Sequence, residues 1–320
     1  MKTKTTPKTP EIKRNQSSKQ GSLLKTKDSL LKKIIAYLRL HHHLNAAFLI
    51  SKQTVSTERQ LHFPPMKKAP VRQFTYTLFI ITEKRTPLNP AELMDALYNH
   101  TQKQAKVYLI SFTEKAVRDK MTFGSNFLKS IFNSVRCIFS VNLWWERYKS
   151  YKVNHHPMVI DRINVHWETR FQRANYLHNL TVYNESDQDP AAYFEILQKV
   201  IQQTCLGLIY VFWEYKPSYT ALPYLLHLCS HFADFPSQIF NTHTYENHHI
   251  LQQLCHADHL MKFRIHTYLS LKQTDKAWQK CNEFLKMSES LAEQRLQFLD
   301  MESLEHVRRV KTKRQSLPVQ

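Results

Sequence analysis

The chain has 320 residues, 42% of them hydrophobic and 12% aromatic, and this composition predicts two ordinary domains rather than a globally disordered protein. Its three glycines are too few for glycine-rich phosphate-binding loops, which excludes a P-loop or a Rossmann dinucleotide site. The net charge is +19. The five cysteines are isolated in the sequence, and this spacing argues against a zinc ribbon or a disulfide framework. It predicts reduced thiols in a cytoplasmic protein.

Positive charge is concentrated at the two ends of the chain. Residues 1–33 carry ten Lys and Arg against two acids, a net +8, and residues 306–320 carry five against none, a net +5. Basic tails bind polyanions by releasing counterions, so nucleic acid is a candidate partner. The alternative is that both tails are solvated ends without a dedicated partner. Residues 1–21 have almost nothing to bury and are predicted to be disordered.

The first half of the chain alternates between helix and strand patterns. A helical pattern over 23–40 is followed by strand patterns at 45–50, 74–81, 107–112 and 137–141. Asn89 with Pro90, and later Thr113, are good starts for the intervening helices. The proline-containing segment between the first two strands is expected to hold little regular structure. This alternation predicts a small α/β sheet domain over residues 22–150.

From about residue 165 the pattern is helical only. Asp189 and Pro190 supply a cap and a first-turn proline for a long apolar helix. Further helices are predicted at 218–232, at 245–271, and from 274 past 298. The fold class is therefore α+β with two domains, the second an all-α up-and-down bundle over 165–300, with the boundary within 144–163 and a basic tail over 301–320.

Four helical segments carry a family resemblance. Residues 171–174 open a first helix, residues 193–208 form a long amphipathic one, and a Leu-rich helix follows at 222–228. Residues 256–265 then precede a last helix. In this order, over about 165–298, the segments resemble HEPN domains. The resemblance implies a helical bundle that associates as a homodimer or with a partner protein.

The sheet half resembles the nucleotidyltransferase-like domains that are often fused to HEPN domains. In such domains a strand ends in Gly-Ser, and acids on the next strand hold two metal ions. Here the strand at 45–50 continues into Ser51 and Lys52, and the strand at 74–81 contains no carboxylate. Mg²⁺ requires oxygen ligands of this kind, so the resemblance implies the fold without nucleotidyl transfer. Gly124 with Ser125 is the nearest match to the signature, but it lies in a helix or turn pattern rather than at a strand end.

HEPN ribonucleases use an Arg followed four to six residues later by a His, and the resemblance places Arg264 at the Arg position. His266 is only two residues further on, so it would project to another side of a helix. Arg173 and His178 have the right spacing but lie in the first helix of the bundle. Arg264 and His266 are the candidate catalytic pair for the alternative function, a metal-independent endoribonuclease of toxin or defence type.

Aromatic and basic side chains are interleaved at the predicted domain boundary, as in proteins that stack bases and track a phosphate backbone. The alternative is an interdomain segment whose rings pack into both halves. With the basic tail, this run gives the candidate nucleic-acid-binding residues Trp144, Trp145, Arg147, Lys149, Lys152, Arg308, Arg309, Lys311, Lys313 and Arg314.

Histidine pairs such as His256 and His259 share a helix face, but no Cys or carboxylate set completes a metal site, so no metal and no cofactor are predicted. The longest apolar run, over 205–213, is too short to span a bilayer, so no membrane partner is expected. The leading hypothesis is a non-catalytic protein that binds RNA, another nucleic acid or a protein partner. The ribonuclease and a pure protein-pairing module are the alternatives.

Overall fold

The computed structural model describes residues 22–23, 27–57, 60–62, 65–67, 71–85, 88–182, 189–263 and 270–315. The strands within these ranges are β1 (Ser22–Leu23), β2 (Leu44–Thr57), β3 (Gln60–His62), β4 (Pro65–Lys67), β5 (Val71–Thr82), β6 (Ala105–Thr113) and β7 (Arg136–Ser140). Strands β3 and β4 form a separate two-stranded ribbon. The others form one mixed sheet in the order β1-β7-β2-β5-β6. This confirms an α+β protein with its sheet in the first half of the chain.

The helices are α1 (Ser29–His42), α2 (Pro90–His100), α3 (Glu114–Thr122), α4 (Asn126–Ser134), a 3₁₀ helix (Trp144–Tyr148), α5 (Pro157–Val182), α6 (Pro190–Trp213), α7 (Leu222–Cys229), α8 (Phe235–Ile239), α9 (Tyr245–Cys255), α10 (Ala257–Phe263) and α11 (Leu271–Gln315). None of the described helices combines the length and apolar character needed to cross a membrane.

Local side-chain chemistry explains where several helices begin. Asn89 and Glu92 form a reciprocal capping box at the start of α2, in which each side chain accepts from the other residue's backbone N–H. Thr113 caps α3, and Asp189 caps α6 by accepting from the N–H groups of Ala191 and Ala192. The helix starts predicted at Asn89, Thr113 and Asp189 are therefore confirmed.

Strand β2 is longer than the sequence pattern predicted. We expected it to end at Ile50, yet it continues to Thr57 because residues 51–57 pair antiparallel with residues 71–77 of β5. The register shifts between Leu49 and Ser51, which is the irregularity of a β-bulge. The hydrogen bonds of the long neighbouring strand, rather than local burial, extend this polar stretch.

Several helix boundaries also differ from the predictions. Helix α1 begins at Ser29 rather than at residue 23, and α5 begins at Pro157, before the helical onset expected at about residue 165. The helix expected over 218–232 is limited to α7, which has Pro223 in its first turn, the only part of a helix that accepts proline. The one expected over 245–271 is broken at His256 into α9 and α10, and residues 264–269 lie outside the described part of the chain. Helix α11 continues to Gln315, through most of the expected tail, because residues 301–315 contain no Gly or Pro to end it.

The two faces of the sheet pack against different helices. On one face, Tyr76, Leu78 and Ile80 of β5 join α1 and α2 in one hydrophobic cluster. On the other face, Phe79 and Ile81 belong to a second, larger cluster. That cluster continues without interruption through α3, α4 and helices α5 to α11. The core therefore crosses the domain boundary expected within residues 144–163.

Gly207 marks a close approach of α6 to α5. A Cβ atom at this position would lie 2.8 Å from Cε3 of Trp167, whose side chain is only 3% exposed. We expect Gly207→Ala to lower the free energy of unfolding by roughly 1–2 kcal/mol, since overpacking outweighs the better helix propensity of alanine. Urea denaturation measures this. The change should be smaller in a Trp167→Leu background, and an equal loss in both backgrounds would contradict the steric cause.

Candidate nucleic-acid interface

One face of α5 carries a stripe of basic side chains. Arg162, His166, Arg170 and Arg173 recur at spacings of four, four and three, which places them on the same side of the helix. Two surface cavities lie along this face and against the residues that follow α6.

The first cavity has a volume of about 280 Å³ and lies between α5 and α6. His166 and Arg170 line it from α5, and Lys216 closes it from the segment after α6. The Arg170 guanidinium donates to Oε1 of Gln203 at 2.7 Å, which fixes its direction within the cavity. The remaining lining residues are Gln202, Leu206, Pro217 and Thr220.

The second cavity, of about 290 Å³, lies where β6 ends. Phe112 is the penultimate residue of β6, and Ser125 caps α4 at the cavity wall. The carboxyl edge of parallel strands is where open α/β sheets hold their ligands, and β5 and β6 are the parallel pair in this sheet. The basic lining residues are Lys120, Arg162 and Lys216. Because Lys216 lines both cavities, we describe the two together as the basic trough.

Positive charge in the trough is mostly uncompensated. Its cations are Lys120, Arg162, Arg170 and Lys216, and its one acid is Glu214. Among the residues that the structure describes, no carboxylate lies within 4 Å of the charged groups of Lys120, Arg170 or Lys216. Because four cations face one carboxylate, the trough has a positive electrostatic potential that attracts anions.

Two pKa shifts reflect this electrostatic environment. Burial, with smaller contributions from the charges of Lys216 and Arg170, lowers the pKa of His166 to about 4, so the imidazole is neutral at pH 7. Burial also lowers the pKa of Arg170, with a contribution from the like charge of Arg173. His166 stacks on Tyr210 at 4.0 Å between ring centroids, and its Nδ1 is buried without a hydrogen-bond partner among the described residues.

Glu214 stands between the two halves of the protein. Burial raises the pKa of its carboxyl group, while a hydrogen bond from Asn126 and the charges of Arg162, Lys129 and Arg295 oppose that rise. The Asn126 amide donates to Glu214 Oε1 at 2.7 Å, and Arg162 lies 3.7 Å from Oε2. Glu214 therefore offsets part of the positive charge of Arg162 and leaves the other trough cations unpaired.

Aromatic rings lie beside the trough cations. Phe123 is 85% exposed in the turn between α3 and α4, a high value for a large apolar side chain. Lys216 Nζ lies 5.0 Å from the ring centre of Tyr210, and Lys120 Nζ lies 5.5 Å from that of Phe112. An exposed ring next to cations is the combination with which proteins hold single-stranded nucleic acid.

The run predicted at residues 144–152 is only partly available to a ligand. Trp145 is 2% exposed, its indole N–H donates to Ser140 Oγ at 3.2 Å, and its ring packs on Phe48. The Trp145 ring is part of the core and offers no free face to a base. Trp144 is half-buried under the guanidinium of Arg118. The packing alternative raised for this run therefore accounts for both rings.

The basic side chains of the same run point outward. Arg147, Lys149 and Lys152 are exposed. Lys149 forms an ion pair with Glu146 at 3.0 Å, and the Arg147 guanidinium donates to the hydroxyl of Tyr148 at 2.9 Å. These three cations remain candidates for phosphate contacts.

The other predicted site residues lie elsewhere. Arg308 is on α11, together with Arg309, Lys311, Lys313 and Arg314, whose side chains are outside the described set. Arg264 and His266 also fall outside the described residues, so their pairing stays a prediction. His178 is 7% exposed and stacks on Trp278, which makes it a core residue of the bundle.

A second polar cluster joins the sheet to α7. Ser51 Oγ lies 2.9 Å from Nε2 of His231, and Thr77 Oγ1 lies 2.8 Å from Nε2 of His227. The two hydroxyl oxygens are 3.0 Å apart, and Nδ1 of His231 faces the carbonyl oxygen of His227 at 3.0 Å. His227 also stacks on Tyr108 at 3.6 Å. We call this set the hydroxyl–imidazole seam.

The hydroxyl–imidazole pairs of the seam are those found in catalytic sites with a nucleophile and a base. The seam is nevertheless a structural contact, because it lies between packed elements. Thr77 is fully buried, and the seam lies between the sheet and the inward face of α7. Its bonds satisfy polar groups that the sheet buries against the helix. The seam therefore fixes α7 on the sheet, and the basic trough is the stronger candidate for a ligand site.

Within the described ranges, no group of three or more His, Cys, Asp and Glu side chains is arranged to hold a metal ion. The five cysteines are free. Strand β5 carries no carboxylate along its described length, and Gly124 has a positive φ of 77° in the turn before α4. Gly124 and Ser125 therefore form a helix start rather than a strand end.

No family model matches the chain, and no curated protein matches it either. The trough must therefore be judged by its own chemistry. One signal for it was present in the sequence, the basic stripe at helical spacing on α5. Lys120, Phe123 and Lys216 gave no such signal, because they come from two other segments, the end of α3 and the residues after α6, that only the packing brings to the stripe.

Proposed function

We propose that this protein is a non-catalytic nucleic-acid-binding protein whose ligand is single-stranded RNA. The observation that carries the proposal is the basic trough, in which four cations surround two adjoining cavities and only one carboxylate opposes them. We further infer that the helical half is a HEPN-like bundle and that the sheet half is a nucleotidyltransferase-like scaffold without catalytic acids.

The division of roles within the trough follows from the chemistry of its residues. Unpaired Lys and Arg side chains gain most from phosphate, because they have no competing carboxylate. Phe123 is placed to stack on an unpaired base at the mouth of the second cavity. The amides of Gln202 and Gln203 line the first cavity and offer hydrogen bonds to ribose or base edges.

The basic ends of the chain support the same ligand class. Residues 1–33 add a net +8 and residues 306–320 a net +5, and both would increase the rate and salt dependence of association. A single strand is favoured over a duplex because stacking on Phe123 requires an unpaired base. The protein-pairing alternative makes no use of the unpaired trough cations.

The proposal is tested by the salt dependence of binding to a fluorescent single-stranded RNA, measured by anisotropy. We expect Lys120→Gln, Arg170→Gln and Lys216→Gln together to weaken binding about tenfold or more at 0.1 M salt. They should also reduce the slope of log K against log salt by about 2, since each lost phosphate contact on a single strand removes about 0.7. Adding Phe123→Ala should cost about 1–3 kcal/mol more.

A matched control replaces the exposed Lys106, Lys262 and Lys286 with glutamine, which removes the same charge away from the trough. If this control weakens binding as much as the trough variant, the trough is not the site. Equal affinity for DNA of the same sequence would remove the preference for RNA. The ribonuclease alternative is tested by recovering the RNA after incubation, since cleavage that Arg264→Ala abolishes would favour it.

A further inference from the structure

A third cavity adjoins the basic trough and shares Phe127 and Glu214 with it. It has a volume of about 80 Å³ and is formed where α4, α6 and α11 meet. Asn126 contributes from α4, Trp213 and Glu214 from the end of α6, and Arg295 from α11. Most of its remaining wall is apolar.

This region holds more positive than negative charge. The charges of Arg162, Lys129 and Arg295 all act on the Glu214 carboxyl group. Glu302 also acts on Arg295, so two carboxylates stand against three cations and one positive charge is left over. Of the three cations only Arg162 lies within 4 Å of Glu214. Lys129 is only 7% exposed, so part of the excess charge is held away from water. Burying a cation without a partner is unfavourable unless a counter-charge is supplied.

Arg295 adds a hydrogen-bond donor, without a partner among the described residues, to the wall of the third cavity. Its Nε is buried and has no hydrogen-bond partner within the described protein. The guanidinium lies between two rings, 5.7 Å from the centre of Phe212 and 5.1 Å from that of Phe298, which hold it in position at the cavity wall. Asn126, by contrast, is fully engaged with Glu214 and with the backbone of Asn154.

We propose that this third cavity binds one small inorganic anion, of the size of chloride or phosphate, with Arg295 as the donor. Lys129 lies outside the cavity wall and supplies a more distant positive charge. Ser130 also lines the cavity and offers a hydroxyl group. A cavity of about 80 Å³ suits an anion of one to a few atoms better than a larger organic anion. A bound anion would balance the excess charge and tie α11 to α4 and α6. This site does not depend on the proposed RNA-binding function.

The test is the thermal unfolding of the full chain at constant ionic strength, with sodium gluconate replaced stepwise by sodium chloride or by sodium phosphate. We expect the midpoint temperature to rise by roughly 2 °C or more and to saturate, because only the folded chain has the site. Gluconate is too large for the cavity, so it serves as the reference. An equal midpoint in all three salts would overturn the proposal and leave water as the occupant.

Arg295→Met separates binding from a structural role. We expect it to abolish the response to chloride and phosphate without lowering the midpoint in gluconate, since it removes a half-buried cation that has no carboxylate within 4 Å among the described residues. Lys286→Met, an exposed position on the same helix, should leave the response unchanged. If Arg295→Met does not fold, broadening of the ³⁵Cl NMR line by the wild-type chain, reversed by phosphate, decides the matter. A line that stays narrow contradicts the site.

Discussion

Replacing Phe48 with alanine should lower the free energy of unfolding by about 3–5 kcal/mol and leave a single unfolding transition. Phe48 is fully buried in β2 and lies in the cluster that the sheet shares with the helical half. Its ring packs against Phe79 at 5.8 Å, Phe132 at 5.6 Å and Trp145 at 4.9 Å, between centroids. The substitution removes three aromatic contacts and leaves a cavity, which explains the size of the loss.

Guanidinium denaturation followed by circular dichroism and by tryptophan fluorescence measures this change. Both signals should shift together, because the shared core makes the sheet and the helices unfold as one unit. Val55→Ala on the same strand is the control, since Val55 is 56% exposed and should change stability by no more than about 0.5 kcal/mol. Two separate transitions, with the helical signal lost last, would show instead that the two halves are independent domains.

The second large effect is expected from acid acting on the hydroxyl–imidazole seam. Burial, with a smaller contribution from His231, lowers the pKa of His227 from 6.5 to about 3, and burial also lowers the pKa of His231. In the unfolded chain His227 therefore becomes protonated as the pH falls below 6.5. In the folded chain it stays neutral until about pH 3. The stabilisation is complete above pH 6.5 and is lost as the pH falls through that interval.

The magnitude follows from the shift. Each pKa unit corresponds to about 1.4 kcal/mol, so His227 alone should lower the free energy of unfolding by up to about 5 kcal/mol between pH 6.5 and 3. The groups that face its ring are Thr77, Tyr108 and the neighbouring His231. In the described part of the chain no carboxylate lies within 4 Å of either imidazole to offset the new charge.

Urea denaturation at a series of pH values measures this loss. His227→Gln can still form a hydrogen bond with Thr77 but cannot titrate, so the loss of stability between pH 6.5 and 3 should be several kcal/mol smaller. The exposed His248→Gln is the matched control and should retain the wild-type dependence. Identical pH profiles for the wild type and His227→Gln would rule out the seam as the origin of acid sensitivity.

Much of the element order followed from local chemistry. The caps at Asn89, Thr113 and Asp189 were predicted because each places a side-chain acceptor beside free backbone N–H groups at a helix start. The apolar strands at the centre of the sheet were predicted from their composition. The extension of β2 to Thr57 was not, since the residues that extend it are polar and owe their conformation to β5.

The predicted site residues were harder to identify from the sequence than the helix starts, because a binding residue must be exposed and exposure depends on tertiary packing. The aromatic run at the predicted boundary has the composition of a nucleic-acid-binding segment, but burial of Trp145 assigns that ring to the core. The sequence indicated an excess of positive charge at both ends without locating a cavity. The unpaired cations Lys120 and Lys216 lie 96 positions apart, so no local pattern relates them.

The sequence by itself determined the α+β class, the helix starts at Asn89, Thr113 and Asp189, and the absence of carboxylates from β5, since each of these depends on neighbours within a few residues along the chain. Only the tertiary structure decided that one core joins the sheet to the helices and that Lys120, Phe123 and Lys216 meet the α5 stripe. The physical reason is that long-range packing, which local propensity does not encode, sets which faces are buried and which charges are left without partners.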